Sequence, residues 1–169
     1  MGSKKMTEPN DAQETLRIRR LHDIGILNTS EEQVYRGYAQ QALALLPGTS
    51  IAAVTLIDVD RQWFKAIIGL DAKETPRSQS FCSHTIQSSG TMVVEDATQD
   101  ARFADNPLVT SAPDIRFYVG VKLTFGLGAL CVIGRKPRQI TDAELFKLEK
   151  LTQFVDIQIL ARGALYNLR

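Results

Sequence analysis

The stretch Ile115-Arg116-Phe117-Tyr118-Val119-Gly120-Val121-Lys122-Leu123 decides the fold class. Its odd-numbered positions are all apolar, whereas its even-numbered positions carry Arg, Tyr, Gly and Lys. This period of two is typical of a β-strand that buries one face. The next strand, predicted over residues 127–133 after a turn with Gly126 and Gly128, is apolar on both faces. We therefore expect it in the centre of the sheet, covered on both sides.

Three further strands are predicted upstream of this pair. Residues 51–57 and 62–68 are short apolar runs rich in β-branched residues, and the polar turn at residues 58–60 separates them, which predicts a β-hairpin. Residues 91–95 predict another strand. Turns this short join neighbouring strands in opposite directions, so the sheet is predicted to be antiparallel.

Helices are predicted at both ends of the chain. Residues 11–27 repeat apolar side chains at mostly helical spacing. The sequence Thr29-Ser30-Glu31-Glu32 has the pattern of a capping box and predicts a second helix, with Val34, Tyr38, Ala42 and Leu45 on its apolar face, that stops at Pro47-Gly48. A second capping box at residues 141–144 predicts a C-terminal helix to about Leu168.

The remaining connections lack a regular period. Residues 70–79 predict a loop, and Ser80 is placed to cap a short helix over residues 81–88. Residues 96–112 contain several Asp, Asn and Pro residues, which predict short helical turns in a long connection. Long structured connections of this kind often carry function.

Composition is that of one compact domain. The chain has 169 residues, 44% of them hydrophobic, and a formal net charge of +1, which gives no sign of a strongly basic nucleic-acid surface or of a membrane segment. We expect a disordered tail at residues 1–10 and a single domain at residues 11–169. The predicted class is α+β, with a five- to six-stranded antiparallel sheet, the terminal helices on one face, and short helices and loops on the other.

The residues resemble a known family, the GAF domain, whose architecture is similar to that of PAS domains. The matching stretches are Gly25-Ile26-Leu27-Asn28-Thr29, Leu56-Ile57-Asp58, Asp60-Arg61-Gln62-Trp63-Phe64-Lys65, Glu74-Thr75-Pro76-Arg77, Ser80-Phe81-Cys82-Ser83-His84, Asp100-Ala101-Arg102-Phe103-Ala104-Asp105-Asn106-Pro107 and Ile115-Arg116-Phe117-Tyr118-Val119-Gly120. The resemblance covers residues 14–165. The turn between Leu123 and Leu127 is shorter than in similar domains, which weakens a pocket role for that hairpin.

The resemblance implies a cytoplasmic sensor domain of bacterial signal transduction. Such domains are commonly attached to histidine kinases, as in two-component systems, or to enzymes that make or degrade cyclic di-GMP. They bind a small ligand between the sheet and its covering segments and are often homodimers through their terminal helices. The resemblance identifies neither the ligand nor a cofactor, and it implies no nucleic-acid or membrane partner.

Candidate ligand-binding residues follow from the predicted covering segments and the polar face of the 115–123 strand. They are Phe81, Cys82, His84, Arg102, Phe103, Asn106, Arg116 and Tyr118. A guanidinium and a hydroxyl in a concave site would recognise a polar or anionic ligand, and aromatic rings would provide stacking area. The alternative is structural: Arg116 would pair with Asp96, Asp100 or Asp105, and Cys82 and His84 would be packing residues.

A catalytic role has little support in the sequence. Cys82 and His84 are two residues apart on a predicted helix and point roughly 200° apart, so they cannot form a hydrogen-bonded nucleophile-base pair. Cys82 alone could be redox-active near a helix N-terminus, whereas Cys131 is predicted to be a core residue. The sequence has no phosphate-binding loop, dinucleotide motif, nucleophile elbow or metal-ligand cluster, so no catalytic or metal residues are assigned.

Two other functions remain as alternatives to the sensor. The C-terminal helix has more apolar surface than one sheet face can cover, which favours a ligand-free dimerisation or scaffold domain. Its predicted dimer interface comprises Leu151, Phe154, Ile157, Leu160 and Leu165. A weaker alternative is a redox enzyme resembling the GAF-type free methionine sulfoxide reductases, which rely on a set of cysteines.

Overall fold

A computed structural model describes residues 11–169, and the predicted tail at residues 1–10 lies outside the described part. The helices in the described part are α1 (Asp11–Asp23), α2 (Gln33–Leu45), α3 (Phe81–Thr85), α4 (Pro107–Thr110) and α5 (Asp142–Tyr166). The strands are β1 (Ile51–Ile57), β2 (Arg61–Ile68), β3 (Glu74–Pro76), β4 (Thr91–Val94), β5 (Phe117–Lys122) and β6 (Gly128–Gly134). Short 3₁₀ turns follow β3, β4 and β5.

The strands form one antiparallel sheet of six strands in the order β3-β2-β1-β6-β5-β4. The central position predicted for the 127–133 strand is confirmed, because β6 pairs with β1 on one side and β5 on the other. All seven residues of β1 are buried. The α+β class, the antiparallel sheet and its helices agree with the sequence-based prediction.

Each face of the sheet carries its own apolar layer. The first layer includes Val54, Val119 and Leu130 of the sheet together with α1, α2 and α5. The second layer includes Ala53, Tyr118 and other side chains of the opposite face. It is covered by a segment that we call the roof: the 3₁₀ turn Arg77–Gln79, α3, and the connection 95–116 with α4.

Helix α2 differs from its prediction. It begins at Gln33, its N-cap Glu32 makes no side-chain capping bond, and its buried residues are Tyr35, Ala39 and Ala42. The predicted cap residues have other partners, because Lys65 of β2 has a fully buried side chain whose Nζ lies 2.8 Å from Thr29 Oγ1 and 2.6 Å from a Glu32 carboxylate oxygen. The ion pair to a buried lysine thus replaces the capping box.

Two other boundaries also differ. Helix α1 ends at Asp23, four residues before the predicted end at residue 27. The predicted loop at residues 70–79 contains the edge strand β3 and a 3₁₀ turn. Strand β3 has only three residues, which is too short for an alternation pattern to be recognised. The capping box at Thr141 and the Ser80 cap are both confirmed.

The contact between β1 and β6 requires a glycine at position 128. A Cβ atom at this position would lie 1.8 Å from the backbone oxygen of Thr55. We predict that Gly128→Ala lowers the free energy of unfolding by about 1–3 kcal/mol, because the two central strands must separate to admit a methyl group. Urea denaturation measures this change.

Gly37→Ala is the matched control. Position 37 lies inside α2, and a Cβ atom there would meet no other part of the chain within 4 Å. Alanine should raise the free energy of unfolding there by about 0.5–1 kcal/mol, since glycine is the poorer helix former. Equal destabilisation by both variants would contradict the close-contact explanation.

Candidate ligand-binding site

The roof helix α3 is fixed at its N-terminus by Ser80. The Ser80 hydroxyl accepts a hydrogen bond from the Ser83 backbone N–H at 3.1 Å and donates one to Gln62 Oε1 at 2.7 Å. The first contact caps the helix, and the second joins it to β2. Ser80 therefore determines where Phe81, Cys82 and His84 lie over the sheet.

An aromatic cluster joins both parts of the roof to the sheet. The rings of Phe81 and Phe103 are stacked at 4.0 Å between centroids. His84 packs edge-on against Phe103 at 4.8 Å, and Phe81 lies 5.2 Å from the Tyr118 ring. The structure therefore brings four of the predicted site residues together. They pack against one another, which uses the stacking surface that a ligand would need.

The Tyr118 hydroxyl is held inside this cluster. It lies 2.7 Å from Thr85 Oγ1 and 3.1 Å from Cys82 Sγ. Burial raises the pKa of Tyr118 well above its ordinary value, so the hydroxyl stays protonated. Gly120 makes room for it, because a Cβ there would lie 2.1 Å from the Tyr118 oxygen. The polar face predicted for this strand is thus a buried hydrogen-bonding site.

His84 has an unusual environment. Its Nδ1 atom is buried and has no hydrogen-bond partner among the described residues. Burial lowers the pKa of the imidazole, and the positive charge of Arg102 lowers it further. His84 is therefore neutral at neutral pH and serves chiefly as a packing partner of Phe103 in this arrangement.

The remaining predicted polar residues hold the roof in place. Arg102 pairs with Asp100 at 2.7 Å, and its guanidinium lies over the Phe103 ring. Asn106 caps α4 through Oδ1, which accepts from the Leu108 N–H at 2.9 Å, and it donates from Nδ2 to the Gln79 carbonyl.

Arg116 has backbone partners in place of the carboxylates considered for it. Its Nη1 donates to the carbonyls of Val109 at 2.8 Å and Ile115 at 3.0 Å. The Val109 carbonyl belongs to α4, so this contact ties the roof to the start of β5. The sequence-based hypothesis made the Arg116 guanidinium available to a ligand. In the structure it is already hydrogen-bonded to backbone carbonyls.

The space between roof and sheet is small. A cavity of about 40 Å³ lies there, lined mostly by apolar side chains together with Gln62, Thr75, Cys82, Cys131 and Tyr118. Of the eight predicted ligand-binding residues, Phe81, Cys82 and Tyr118 line it, and the other five do not. Cys131 is buried in the core, as the sequence predicted, and it also lines this cavity, a role that the sequence missed and that depends on its pairing with Ala53 of β1 and Gly120 of β5.

A larger hollow lies outside the roof, at the edge of the sheet. An open groove of about 970 Å³ runs along residues 63–74 and the connection 28–31. It exists because β3 pairs only with Arg61, Gln62 and Trp63 of β2 and leaves the rest of that edge uncovered. No local pattern predicted this groove, since the length of β3 could not be inferred from its residues.

A charged cluster connects the roof to α1. The Glu14 carboxylate binds Arg17 at 2.8 Å and Arg77 at 2.6 Å. Arg77 begins the 3₁₀ turn that precedes α3. Arg17 is largely buried and donates to the carbonyls of Ile57 and Gly126. Arg77 therefore links the roof directly to an α1 side chain.

The end of α1 in turn contacts the end of α5. Asn167 Nδ2 donates to the Asp23 carbonyl at 3.1 Å. A Cβ at Gly25 would lie 2.6 Å from the Tyr166 ring, and one at Gly163 would lie 3.1 Å from Ile24, so both glycines allow close packing. The two terminal helices thus form one connected unit.

The predicted dimer residues fall into two groups. Leu151 is buried in the helix-side layer of this chain. Phe154, Ile157, Leu160 and Leu165 are exposed, and Ile157 has 63% of its surface accessible. The predicted exposed apolar surface of α5 is therefore present. Leu151 is not part of it.

Comparison with solved structures identifies the fold. The GAF domain of an Acinetobacter phosphoenolpyruvate-protein phosphotransferase matches with a TM-score of 0.64 at 18% identity, covering 94% of this chain and 99% of that domain. A type II free methionine-R-sulfoxide reductase from Thermoplasma acidophilum matches with a TM-score of 0.62 at 11% identity, covering 75% of this chain and 90% of that chain. The chain has the GAF fold.

A curated relative is similar in sequence. A cyclic di-GMP phosphodiesterase of Pseudomonas aeruginosa is 38% identical over 158 residues, which cover 90% of this chain and 27% of the relative. The chain thus spans about a quarter of the length of that relative. None of the protein-family models matches the chain.

Residues 11–169 contain neither a candidate metal-binding cluster nor a candidate membrane-spanning helix. Within that range, no three His, Cys, Asp or Glu side chains are grouped so that they could hold a metal ion. None of the helices described there combines the length and apolar character needed to cross a membrane.

The Glu14 cluster generates a pH prediction. The hydrogen bond from Arg17 lowers the pKa of Glu14 from 4.5 to about 2, burial opposes this, and Arg77 adds to the lowering. Because the folded-state pKa lies below the unfolded one, the stabilisation is complete above the unfolded pKa and is lost as pH falls through the folded pKa. Wild-type protein should lose more free energy of unfolding than Glu14→Gln between pH 4.5 and 2.

Urea denaturation across this pH range measures the difference. Asp71→Asn is the control, since it removes an exposed carboxylate for which the described residues provide no ion pair. Its acid dependence should stay parallel to that of wild type. If Glu14→Gln also remained parallel to wild type, the cluster would carry no acid-sensitive stabilisation.

Proposed function

We propose that this chain is a non-catalytic sensory and regulatory domain of bacterial signal transduction, which binds a small ligand between sheet and roof and signals through its terminal helices. The observation that carries the proposal is the 2.6 Å ion pair between Arg77 of the roof and Glu14 of α1. It joins the covering segment to a terminal helix. The contacts of α1 with the end of α5 continue the connection to the other terminus.

Ligand binding has to move the roof. The cavity of about 40 Å³ accommodates little more than one molecule of the size of water. A nucleotide or amino acid would therefore enter only after α3 or α4 had shifted away from the sheet. These helices have five and four residues, so few backbone hydrogen bonds resist the shift. The ligand's preference for the open roof limits how far it shifts the equilibrium.

The proposed route runs from α3 to the chain termini. Ser80 and Arg77 lie on the same short segment, so a displaced α3 would pull on the Arg77 guanidinium. Glu14 is held by Arg17, whose other donors bind the Ile57 and Gly126 carbonyls. Displacement of Arg77 would thus leave the Glu14 carboxylate paired with Arg17 alone. The changed pull on Glu14 would shift α1 against the sheet.

The relative supports a cyclic di-GMP context for the output. It is named as a cyclic di-GMP phosphodiesterase, and the matched part is 27% of its length. We propose that the catalytic activity resides in the other part of such a protein and that this domain regulates it in the cytoplasm. The isolated chain is then expected to leave cyclic di-GMP intact.

A second role, dimerisation, is favoured by α5. Ile157, Leu160 and Ala164 follow one another at spacings of three and four residues, as in a coiled coil. Ile157 and Leu160 are exposed. A second copy of the chain would cover these side chains and bring two α5 helices together. This role is compatible with sensing, because a shift of α1 against α5 would alter the pairing of the helices.

The sensor proposal predicts a ligand-dependent change that passes through Arg77. Thermal-shift measurements use a panel of cyclic di-GMP, cyclic AMP, cyclic GMP, amino acids and haem. We expect one class to raise the melting temperature and to change amide exchange in both α3 and α1. In Arg77→Gln the change in α3 should persist and that in α1 should be lost, since the link is gone.

Two outcomes would contradict this prediction. One is that no member of the panel shifts the melting temperature, and the other is that α1 responds equally in wild type and Arg77→Gln. Arg36→Gln is a matched control, because Arg36 forms an exposed ion pair with Glu31 away from the roof. It should behave like wild type in both helices.

The dimer role predicts a change in solution mass. Ile157→Glu should convert a dimer to a monomer without loss of helical signal, because a carboxylate cannot be buried unpaired between two helices. Light scattering coupled to size exclusion measures the mass, and circular dichroism checks the fold. Gln13→Glu adds the same charge at an exposed position of α1, and this variant should remain dimeric. A monomeric wild type would contradict the proposed dimerisation role.

A further inference from the structure

Two cysteines from different elements meet under the roof. Cys82 lies at the start of α3, and Cys131 lies in the middle of β6 opposite Gly120 of β5. Both are almost fully buried, and both line the same cavity. Cys82 Sγ lies 3.1 Å from the Tyr118 hydroxyl, and that hydroxyl lies over Gly120, the residue that pairs with Cys131. The chain has two cysteines in all, and the fold brings them together from positions 82 and 131.

The two thiols differ in acidity. Burial opposes ionisation of Cys82, yet hydrogen bonds from Cys131, Thr55 and Tyr118 together hold its pKa below the ordinary thiol value. The hydrogen bond to Cys82 and burial raise the pKa of Cys131 well above that value. Cys82 is thus the better nucleophile, and Cys131 is a protonated neighbour.

The cavity also provides a place for a small oxidant. Its volume of about 40 Å³ is enough for a molecule of the size of water, and hydrogen peroxide is only slightly larger. Cys82, Cys131 and Tyr118 all line this space. The Tyr118 hydroxyl lies 3.1 Å from Cys82 Sγ, within hydrogen-bonding distance of the thiol.

We propose that Cys82 and Cys131 form a peroxide-sensitive thiol pair that closes to an intramolecular disulfide between α3 and β6. This inference stands on the meeting of the two side chains and does not depend on the proposed ligand sensing. The disulfide would attach the roof helix covalently to the centre of the sheet. It would thereby hold the roof closed over the cavity.

The chemistry proceeds in two balanced steps. The Cys82 thiolate attacks one peroxide oxygen, the S–O bond forms as the O–O bond breaks, and the leaving hydroxide is protonated to water. This gives the sulfenic acid of Cys82. The Cys131 sulfur then attacks the Cys82 sulfur, the S–S bond forms as the S–O bond breaks, and the second hydroxide leaves as water with the Cys131 proton. Overall, two thiols and one hydrogen peroxide give one disulfide and two waters.

Intact mass spectrometry of the full chain tests the proposal. After treatment with hydrogen peroxide, the wild-type monomer should lose the mass of two hydrogen atoms, and a reductant should restore it. Proteolysis without reductant should release the two cysteine peptides as one linked species. Cys82→Ser and Cys131→Ser should not lose hydrogen, and in Cys131→Ser the remaining thiol should instead gain oxygen.

Tyr118→Phe tests whether the Tyr118 hydroxyl promotes the reaction of the Cys82 thiol with peroxide. Loss of the hydroxyl removes one of the hydrogen bonds to Cys82 while the ring remains, so disulfide formation should be several-fold slower at neutral pH. The proposal is overturned if both thiols of the peroxide-treated wild type can still be alkylated in denaturant. It is also overturned if the mass rises by oxygen alone or if the linked peptides come from two different chains.

Discussion

Both faces of the central strands must be shielded from water, and this constraint shapes the molecule. Strand β1 is buried along its whole length, and β6 is buried at all but one residue. A strand pair of this kind is stable only when both faces of the sheet are covered. Long helices supply one cover through continuous apolar faces. The other cover is assembled from short turns, whose own backbone hydrogen bonds are few, so side chains must hold it in place.

This requirement explains why so many candidate ligand-binding residues have structural partners. Asn106 and Arg116 bind backbone carbonyls, and Arg102 binds Asp100 within the same connection. A roof built from short helices needs these contacts to stay packed on the sheet. The same residues that would recognise a ligand therefore stabilise the closed state, and a ligand that binds them must compensate for the contacts it replaces.

Strands and helix caps were predictable where the pattern is local. The alternation at residues 115–123 and the capping box at Thr141 depend only on neighbours in sequence. The strand and the cap are both confirmed, but β5 is buried on both faces and not on one. The start of α2 was not predictable, because Lys65 reaches Thr29 and Glu32 from another strand. At the site, Phe81, Cys82 and Tyr118, which were predicted to bind a ligand, line the small cavity, and their ligand-binding role stays a prediction. The partnership of Cys82 with Cys131 depends on strand pairing, which no local pattern encodes.

The distribution of contacts makes the roof the part of the fold most easily changed. The helix-side layer is one extensive cluster, so moving α5 or α2 would expose many apolar side chains at once. The buried residues of α3 are Phe81, Cys82 and Thr85, and the Ser80 and Tyr118 hydrogen bonds would be exchanged for bonds to water if α3 moved. Arg77 and Glu14 lie where this weakly held part meets the strongly held one. The proposed signal would therefore pass from the roof to α1, and so to the helix-side layer, through a charged pair.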